Sequence, residues 1–163
     1  MLKAWEEELP SDDPDRTVLL EGVANGFHII HQDKLNNLKP VSLQNYKSAT
    51  NSQNKHKVEK QIQNELVNGR YIIVDQPATI TSALGAVPKK GSDSVRLIHD
   101  CSRPYGDSVN DLSSPISFSY QSLQDAIQLI KPDYYLAKLD LLSAYRSVRI
   151  HPSNYAVTGI HWT

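Results

Sequence analysis

The sequence predicts an α+β fold, because helical and strand patterns follow each other irregularly along one domain-sized chain of 163 residues. Three stretches carry this prediction. Residues 54–69 have the apolar spacing of an amphipathic helix, residues 84–100 form two apolar arms around a Gly/Ser/Asp loop, and residues 134–141 read as a strand that ends at a carboxylate. A regular alternation of strands and helices, which would indicate a parallel α/β protein, is not visible.

The beginning of the chain is acidic. Residues 1–17 contain Pro10, Pro14 and several acids, and this composition predicts a poorly ordered leader. Residues 1–33 carry eight acids against two Lys/Arg, whereas the remainder carries fifteen Lys/Arg against ten acids. This split fits a basic body that meets polyanions, and it fits equally well a mixed, solvated surface.

Two helices are predicted in the body of the chain, residues 18–133. The first ends at Gly69, a residue that readily adopts the left-handed conformation of a helix C-terminus. The second covers 122–130 and is followed by Pro132. Each helix is expected to bury one apolar stripe, formed by Val58, Ile62 and Leu66 in the first and by Leu123, Ile127 and Ile130 in the second.

The hairpin at 84–100 carries clustered positive charge. If its loop is 91–94, Lys89 lies directly opposite Arg96, and such a like-charge pair is destabilising by roughly 0.2–1 kcal/mol. A bound polyanion, such as a nucleoside triphosphate or a nucleic-acid backbone, would compensate this repulsion. Alternatively, the lysines simply keep the end of the hairpin solvated, and Arg96 pairs with a nearby aspartate.

An aspartate closes the apolar run at 134–141. Asp140 falls at the predicted strand end, where a carboxylate beside free carbonyl groups suits a hard cation such as Mg²⁺. Ser143 and Ala144 are small enough for a ligand to approach the backbone, and Tyr145 would place a ring next to it. The competing interpretations are that Asp140 caps the following turn and that Tyr145 is a packing residue.

The chain has no run of eighteen apolar residues and no apolar signal region at its N-terminus, so no membrane association is predicted. Its single cysteine, Cys101, cannot form an internal disulfide. Together these features favour an intracellular location, in the cytoplasm or the nucleus.

Two longer motifs together resemble a reverse transcriptase, the RNA-directed DNA polymerase of retrotransposons. The stretch VPKKGSDSVRLIHDCSRPYGDSVND resembles the fingers hairpin, and LAKLDLLSAYRSVRIHP resembles the first palm motif, D-x-x-x-A-[YF]. The phrases LLEGVANGFHII, NELVNGRY and SVND are most similar to elements that encode a tyrosine recombinase, the DIRS-like group. The resemblance implies part of a right-hand polymerase, with fingers in 18–133 and the start of the palm in 134–163.

The resemblance also implies roles for individual residues. Asp140 is similar to the catalytic, metal-binding aspartate and would hold Mg²⁺ together with the carbonyl oxygen of Leu141, while Tyr145 matches the gate that excludes a ribose 2′-hydroxyl. The implied nucleotide site comprises Lys89, Arg96, Ser143, Ala144 and Tyr145, and the implied template contacts are Lys90, Asp100 and Arg103.

The family polymerises DNA by two-metal catalysis and takes further carboxylates from a Y-x-D-D motif. No such motif occurs in these 163 residues, so we expect an N-terminal fragment that is inactive alone. Its implied partners are an RNA or DNA template–primer and a dNTP. The alternative is a non-catalytic nucleic-acid-binding or interaction module. An unfinished palm sheet would leave YAVTGIHW with an open edge, which predicts self-association.

Overall fold

A computed structural model describes residues 2–114, 119–141 and 144–163, and within them the fold is α+β, as predicted. The helices are α1 Leu2–Glu8, α2 Arg16–Asn25, α3 Gln32–Leu35, α4 Lys47–Thr50, α5 Lys55–Val67, α6 Val109–Leu112, α7 Leu123–Leu129 and α8 Ala144–Ser147, and a 3₁₀ helix covers Pro152–Val157. The strands are β1 Val41–Ser42, β2 Ile80–Pro88, β3 Val95–Asp100 and β4 Gly159–Ile160.

Strand β2 is the centre of a small mixed sheet. Its first residues pair in parallel with β1 and with β4, and its remainder pairs antiparallel with β3. The predicted hairpin is therefore confirmed, with a first arm that begins at Ile80. Because side chains alternate between the two faces of a strand, Leu84 and Ala86 of β2 and Leu97 of β3 point to the same interior side.

Helix α5 covers that interior side, which confirms the first predicted helix. Its Val58 is fully buried among residues of the hairpin, whereas Val67, at the end of the helix, is exposed. The cluster comprises Ala49, Val58, Leu84, Ala86, Val95 and Leu97, with Ile62, Ile160 and Trp162 packed against it. Burial of a side chain the size of valine or leucine stabilises a fold by roughly 1.5–3 kcal/mol, so this layer anchors the hairpin.

The segment after α2 meets the segment after α8 beside a second apolar cluster. Phe27 and Ile150 form an isolated parallel bridge, in which the Phe27 N–H donates to the Arg149 carbonyl at 2.8 Å. Gly26 makes this approach possible, because its φ is +97° and a Cβ there would lie 2.6 Å from the backbone nitrogen of His151. The neighbouring cluster contains Ile30, Ile80, Val109 and Val157.

The first residues contain helical structure rather than the irregular leader predicted for 1–17. Helix α1 is built from residues that favour helices, and Arg16 fastens its end. The Arg16 guanidinium donates to the carbonyl oxygens of Leu9 at 2.6 Å and of Glu6 at 2.9 Å. A cation that binds the last carbonyl groups of a helix stabilises it, and composition alone did not reveal that contact.

The strand predicted at 134–141 is wrong. These residues are irregular and exposed, with Tyr135, Leu136, Leu139 and Leu141 all facing solvent. A strand requires a hydrogen-bonded neighbour, and among the described residues every strand pairing involves β2. Residues 134–141 have the alternating side-chain pattern of a strand, but no strand that the structure describes pairs with them.

Two further expectations change in the second half of the chain. Helix α7 forms as predicted, but its apolar residues Leu123 and Ile127 are exposed instead of buried. In YAVTGIHW, strand structure is limited to β4, which pairs with β2 along one edge and has no second strand partner among the described residues. Ile160 and Trp162 pack against the first cluster, so the prediction of an uncovered apolar face is wrong for these two residues. Self-association remains a prediction. No helix in the described part of the chain combines the length and apolarity needed to cross a bilayer.

Candidate nucleic-acid interface

The outer face of the hairpin collects polar residues that the sequence singled out. In the ladder, Arg96 lies opposite Val87, and Asp100 lies opposite Ala83. Directly opposed residues share a face, so Arg96 and Asp100 lie on the side of the hairpin away from α5. Lys89 extends the same alternation, and its N–H donates to the Ser94 carbonyl at 3.0 Å.

The predicted register is therefore wrong by two residues. Lys89 is not opposite Arg96, because the loop is longer than 91–94 and the last ladder pair is Pro88 with Val95. A shift of two residues keeps each side chain on its original face, since the period of a strand is two. Lys89 and Arg96 thus remain on one face as diagonal neighbours, and both are exposed.

Helix α5 holds the tip of the hairpin. The ammonium group of Lys57 lies 2.5 Å from the Asp93 carboxylate and forms an ion pair with it. Asp93 is therefore engaged with α5, which makes it a poor candidate for a local ion pair with Arg96. Lys90 lies in the exposed turn at this tip. The hairpin presents its cations to solvent at the end that α5 supports.

An open groove of about 520 Å³ adjoins the outer face of the hairpin. Its lining combines apolar, aromatic and cationic groups, namely Leu43, Gln44, Tyr46, Ala83, Arg103, Pro104 and Tyr105. The Arg103 guanidinium carbon lies 3.8 Å from the centroid of the Tyr105 ring, a cation–π contact that orients both side chains. Aromatic rings beside an arginine form a surface on which nucleobases can stack while phosphate groups meet the cation.

Local hydrogen bonds shape the wall of the groove that carries Arg103 and Tyr105. Ser108 and Asp111 form a capping box at the start of α6, and the Asp111 carboxylate also accepts the Gly106 N–H at 2.8 Å. The Asn110 N–H donates to the Cys101 carbonyl at 3.0 Å and closes the loop. These contacts fix the conformation of the loop that follows β3.

Tyr46 also lines the groove and contacts a residue predicted from the sequence. Its N–H donates to the Leu84 carbonyl at 2.9 Å, and its ring lies over Gly85, where a Cβ would sit 3.4 Å from the ring. Its hydroxyl donates to the Asp100 carboxylate. Hydrogen bonds from Ser102 and then from Tyr46 lower the pKa of Asp100, and the bond to Asp100 raises the pKa of Tyr46. Asp100 therefore positions Tyr46 at the groove.

His99 is on the inner side of the hairpin, and it gives the protein a testable pH dependence. Burial, followed by the positive charge of Arg146, lowers the pKa of His99 from the usual 6.5. The unfolded chain then binds this proton more readily than the folded chain, so the free energy of unfolding falls as the pH drops below 6.5. Between about pH 7.5 and about pH 5.5, we expect His99→Gln to lose less stability than the unmodified protein in urea unfolding.

Comparing the loss of unfolding free energy with pH in the two proteins tests His99 specifically, because the other five histidines are common to both. Asp100 does not interfere with the test. Its lowered pKa makes its contribution disappear only in more acidic solution, below the usual carboxylate value of 3.8. Identical losses of stability in the two proteins would contradict the assignment.

The second group of predicted site residues belongs neither to the hairpin ladder nor to the lining of the groove. Asp140 and Leu141 are exposed in an irregular segment, Ala144 and Tyr145 begin α8, and Ser143 lies outside the described residues. Within the described ranges, no three His, Cys, Asp or Glu side chains form a metal-ligand group. One carboxylate and one carbonyl oxygen, the ligands that Asp140 and Leu141 would supply, are too few to hold a pair of metal ions.

Sequence reasoning missed two aromatic residues of the groove. Tyr46 lies in a polar stretch far from the hairpin, and no local pattern connects it to Asp100, 54 residues away. Tyr105 had a weak signal, since it lies two residues after Arg103 in a loop rich in Pro and Gly, where exposed aromatic residues often bind ligands. Comparison with protein-family models, with curated proteins and with solved structures found no match to this chain.

Proposed function

We propose that this chain is the fingers region and first palm motif of a retrotransposon reverse transcriptase, whose activity is template-directed DNA synthesis. The observation that carries the proposal is the shared outer face of the hairpin. Lys89, Arg96 and Asp100, assigned by motif alone, lie on that face, and it continues into an aromatic and cationic groove. A merely solvated hairpin has no requirement for this groove.

In this proposal, the hairpin and the groove have different tasks. Lys89 and Arg96 bind the triphosphate of the incoming nucleotide by charge-assisted hydrogen bonds. Arg103 contacts the template backbone while Tyr46 and Tyr105 offer ring faces to its unpaired bases. Tyr145 restricts the space at the 2′ position of the sugar. Mg²⁺, when bound at Asp140, would neutralise charge on the phosphates, and no described residue replaces the further carboxylates of the two-metal reaction.

The direct test is primer extension. With Mg²⁺, an RNA template annealed to a DNA primer, and all four dNTPs, we expect the 163-residue chain to bind the duplex without extending the primer. The reason is that Asp140 alone cannot position two ions. Measurable extension would contradict the expected inactivity, and extension that persists in Asp140→Ala would remove the role of Asp140. Absence of duplex binding at low salt would overturn the polymerase proposal itself.

A second candidate, a non-catalytic nucleic-acid-binding module, is favoured by one specific observation. The outer face of the hairpin and the groove belong to the packed body of the protein, whereas Asp140 lies in an exposed irregular segment. The two candidates differ in their response to nucleotide. A polymerase region should bind the template–primer more tightly when the complementary dNTP and Mg²⁺ are present, because the dNTP pairs with the template base while its triphosphate contacts the hairpin, so that each ligand favours binding of the other. A simple binding module should not distinguish the complementary dNTP from the other three.

A further inference from the structure

Helix α8 carries an arginine that is held by the body of the protein. Arg146 is half-buried, in contrast to the exposed Ala144 and Tyr145 that precede it. Its Nη1 donates to the hydroxyl oxygen of Tyr71 at 3.0 Å, and its guanidinium carbon lies 5.2 Å from the centroid of the same ring. The side chain thus combines a hydrogen bond with a cation–π contact.

Tyr71 is itself fixed to the end of helix α5. The N–H groups of Arg70 and Tyr71 both donate to the Glu65 carbonyl, at 2.9 and 3.2 Å. The Arg70 guanidinium also lies 3.5 Å from the carboxylate of Glu65, which is only 7% exposed. Because α5 packs on the hairpin through Val58, Tyr71 connects α8 to the element that supports Lys89 and Arg96.

Arg146 and Tyr145 are consecutive residues of one helical turn, so their side chains point about 100° apart. When Arg146 is held against Tyr71, Tyr145 is directed outward, and it is 87% exposed. Free rotation of α8 would move both side chains together. Tyr145 also shares a side-chain hydrogen bond with Tyr120, which raises the pKa of Tyr120. The contact of Arg146 with Tyr71 and this hydrogen bond therefore act together on the direction in which Tyr145 projects.

We propose that Arg146 is a positioning residue: its contact with Tyr71 holds the turn of α8 that carries Tyr145, acts together with the Tyr120 hydrogen bond to orient Tyr145, and so contributes to the selectivity for deoxynucleotides. This inference rests on the proposed function, in which Tyr145 meets the sugar of the nucleotide. Arg146 does not touch the substrate. It acts through α8, and neither the motif nor the basic hairpin assigns it a role.

The contact can be tested without any nucleotide. Trypsin must accept an extended arginine side chain, so an Arg146 held on Tyr71 resists cleavage. We expect Tyr71→Phe, which removes only the accepting hydroxyl, to raise the rate of cleavage after Arg146 at least roughly threefold. Cleavage after Lys138, in the exposed segment, should not change and serves as the internal reference. Tyr135→Phe removes a hydroxyl from a fully exposed side chain and is the matched control. Equal cleavage after Arg146 in Tyr71→Phe and in the unmodified protein would overturn the contact.

The positioning role is tested by calorimetric titration with dGTP and with GTP in the presence of Mg²⁺. We expect dGTP to bind more tightly, and the ratio of the two affinities to fall at least about threefold in Tyr71→Phe and in Arg146→Met. Arg146→Lys keeps a charged donor and should restore part of the ratio, which a general loss of folding would not do.

The outcomes separate the two proposals. An unmodified protein that binds dGTP, with a ratio unchanged in Tyr71→Phe, overturns the positioning role and leaves the proposed function standing. An unmodified protein that binds neither nucleotide overturns the nucleotide site of the proposed function, and the positioning role with it. In that second case the trypsin experiment still decides whether Arg146 contacts Tyr71.

Discussion

Replacing Lys89 and Arg96 together by alanine is expected to weaken the binding of an RNA–DNA template–primer by roughly 50-fold at about 0.1 M salt. Both side chains are exposed on one face of the hairpin, so both can neutralise phosphates and release their counterions. Each lost contact should also reduce the slope of log affinity against log salt by about 0.9. Fluorescence anisotropy of labelled duplex at several salt concentrations measures both quantities.

The control for this experiment removes the same number of positive charges elsewhere. Lys3 on α1 and Lys55 on α5 each lie near a glutamate one helical turn away, at 3.9 and 4.0 Å, and α5 packs on the opposite side of the hairpin. The double change Lys3→Ala with Lys55→Ala should alter affinity less than about threefold. Equal effects of the two double changes would mean that binding depends on net charge alone. That result would contradict the proposal that the outer face of the hairpin binds the nucleic acid.

Asn154→Ala should cause a large loss of stability for the substitution of a single polar side chain, about 3 kcal/mol in the free energy of unfolding. The Asn154 side chain is fully buried, and its Oδ1 accepts the N–H groups of Ile29 at 2.8 Å and of Ile30 at 2.7 Å. Alanine leaves both donors without their acceptor beside a fully buried Ile30. A buried donor that loses its partner costs about 1–3 kcal/mol.

Urea unfolding at low protein concentration measures this loss, with a correction for association if the midpoint depends on concentration. Asn64→Ala is the matched control, because Asn64 is exposed on helix α5 and alanine favours helices. The control should change stability by less than about 0.5 kcal/mol. A loss below about 1 kcal/mol for Asn154→Ala would show that the hydrogen bonds from Ile29 and Ile30 to Asn154 contribute little to the stability of the fold.

The role of Asn154 explains why the end of the described chain belongs to the body. The 3₁₀ helix that carries it is attached through Asn154 to the segment after α2, and Val157 joins the second apolar cluster. Strand β4 then adds to β2, and Trp162 covers the first cluster. Residues 150–163 therefore pack with the same core as the hairpin, although the proposed function places the two in different regions of a polymerase.

The elements predicted correctly are those whose signal is local. The spacing of Val58, Ile62 and Leu66 predicts helix α5 and its apolar face, and Val58 and Ile62 pack in the first cluster. The hairpin follows from two apolar arms and an intervening turn. The motif residues Lys89 and Arg96 share a face in the structure even though the predicted register was wrong, because a shift by two residues conserves the face.

The elements predicted incorrectly depend on partners that are distant in sequence. The run at 134–141 has the alternation of a strand, but a strand forms only beside a neighbour that accepts its hydrogen bonds, and composition cannot supply one. The helix at the N-terminus was missed for the complementary reason. The end of this helix is held by Arg16, which donates to the Leu9 carbonyl oxygen. The amino-acid composition of the segment does not reveal that contact.

By itself, the sequence determined the fold class, the hairpin with its basic residues, and the amphipathic helix that supports it, because each is encoded by the spacing of neighbouring side chains. Only the tertiary structure decided that Tyr46 reaches Asp100, that Arg146 rests on Tyr71, and that Asn154 joins the two ends of the chain. These contacts connect residues between 54 and 125 positions apart, and they form only after the core has brought their elements together.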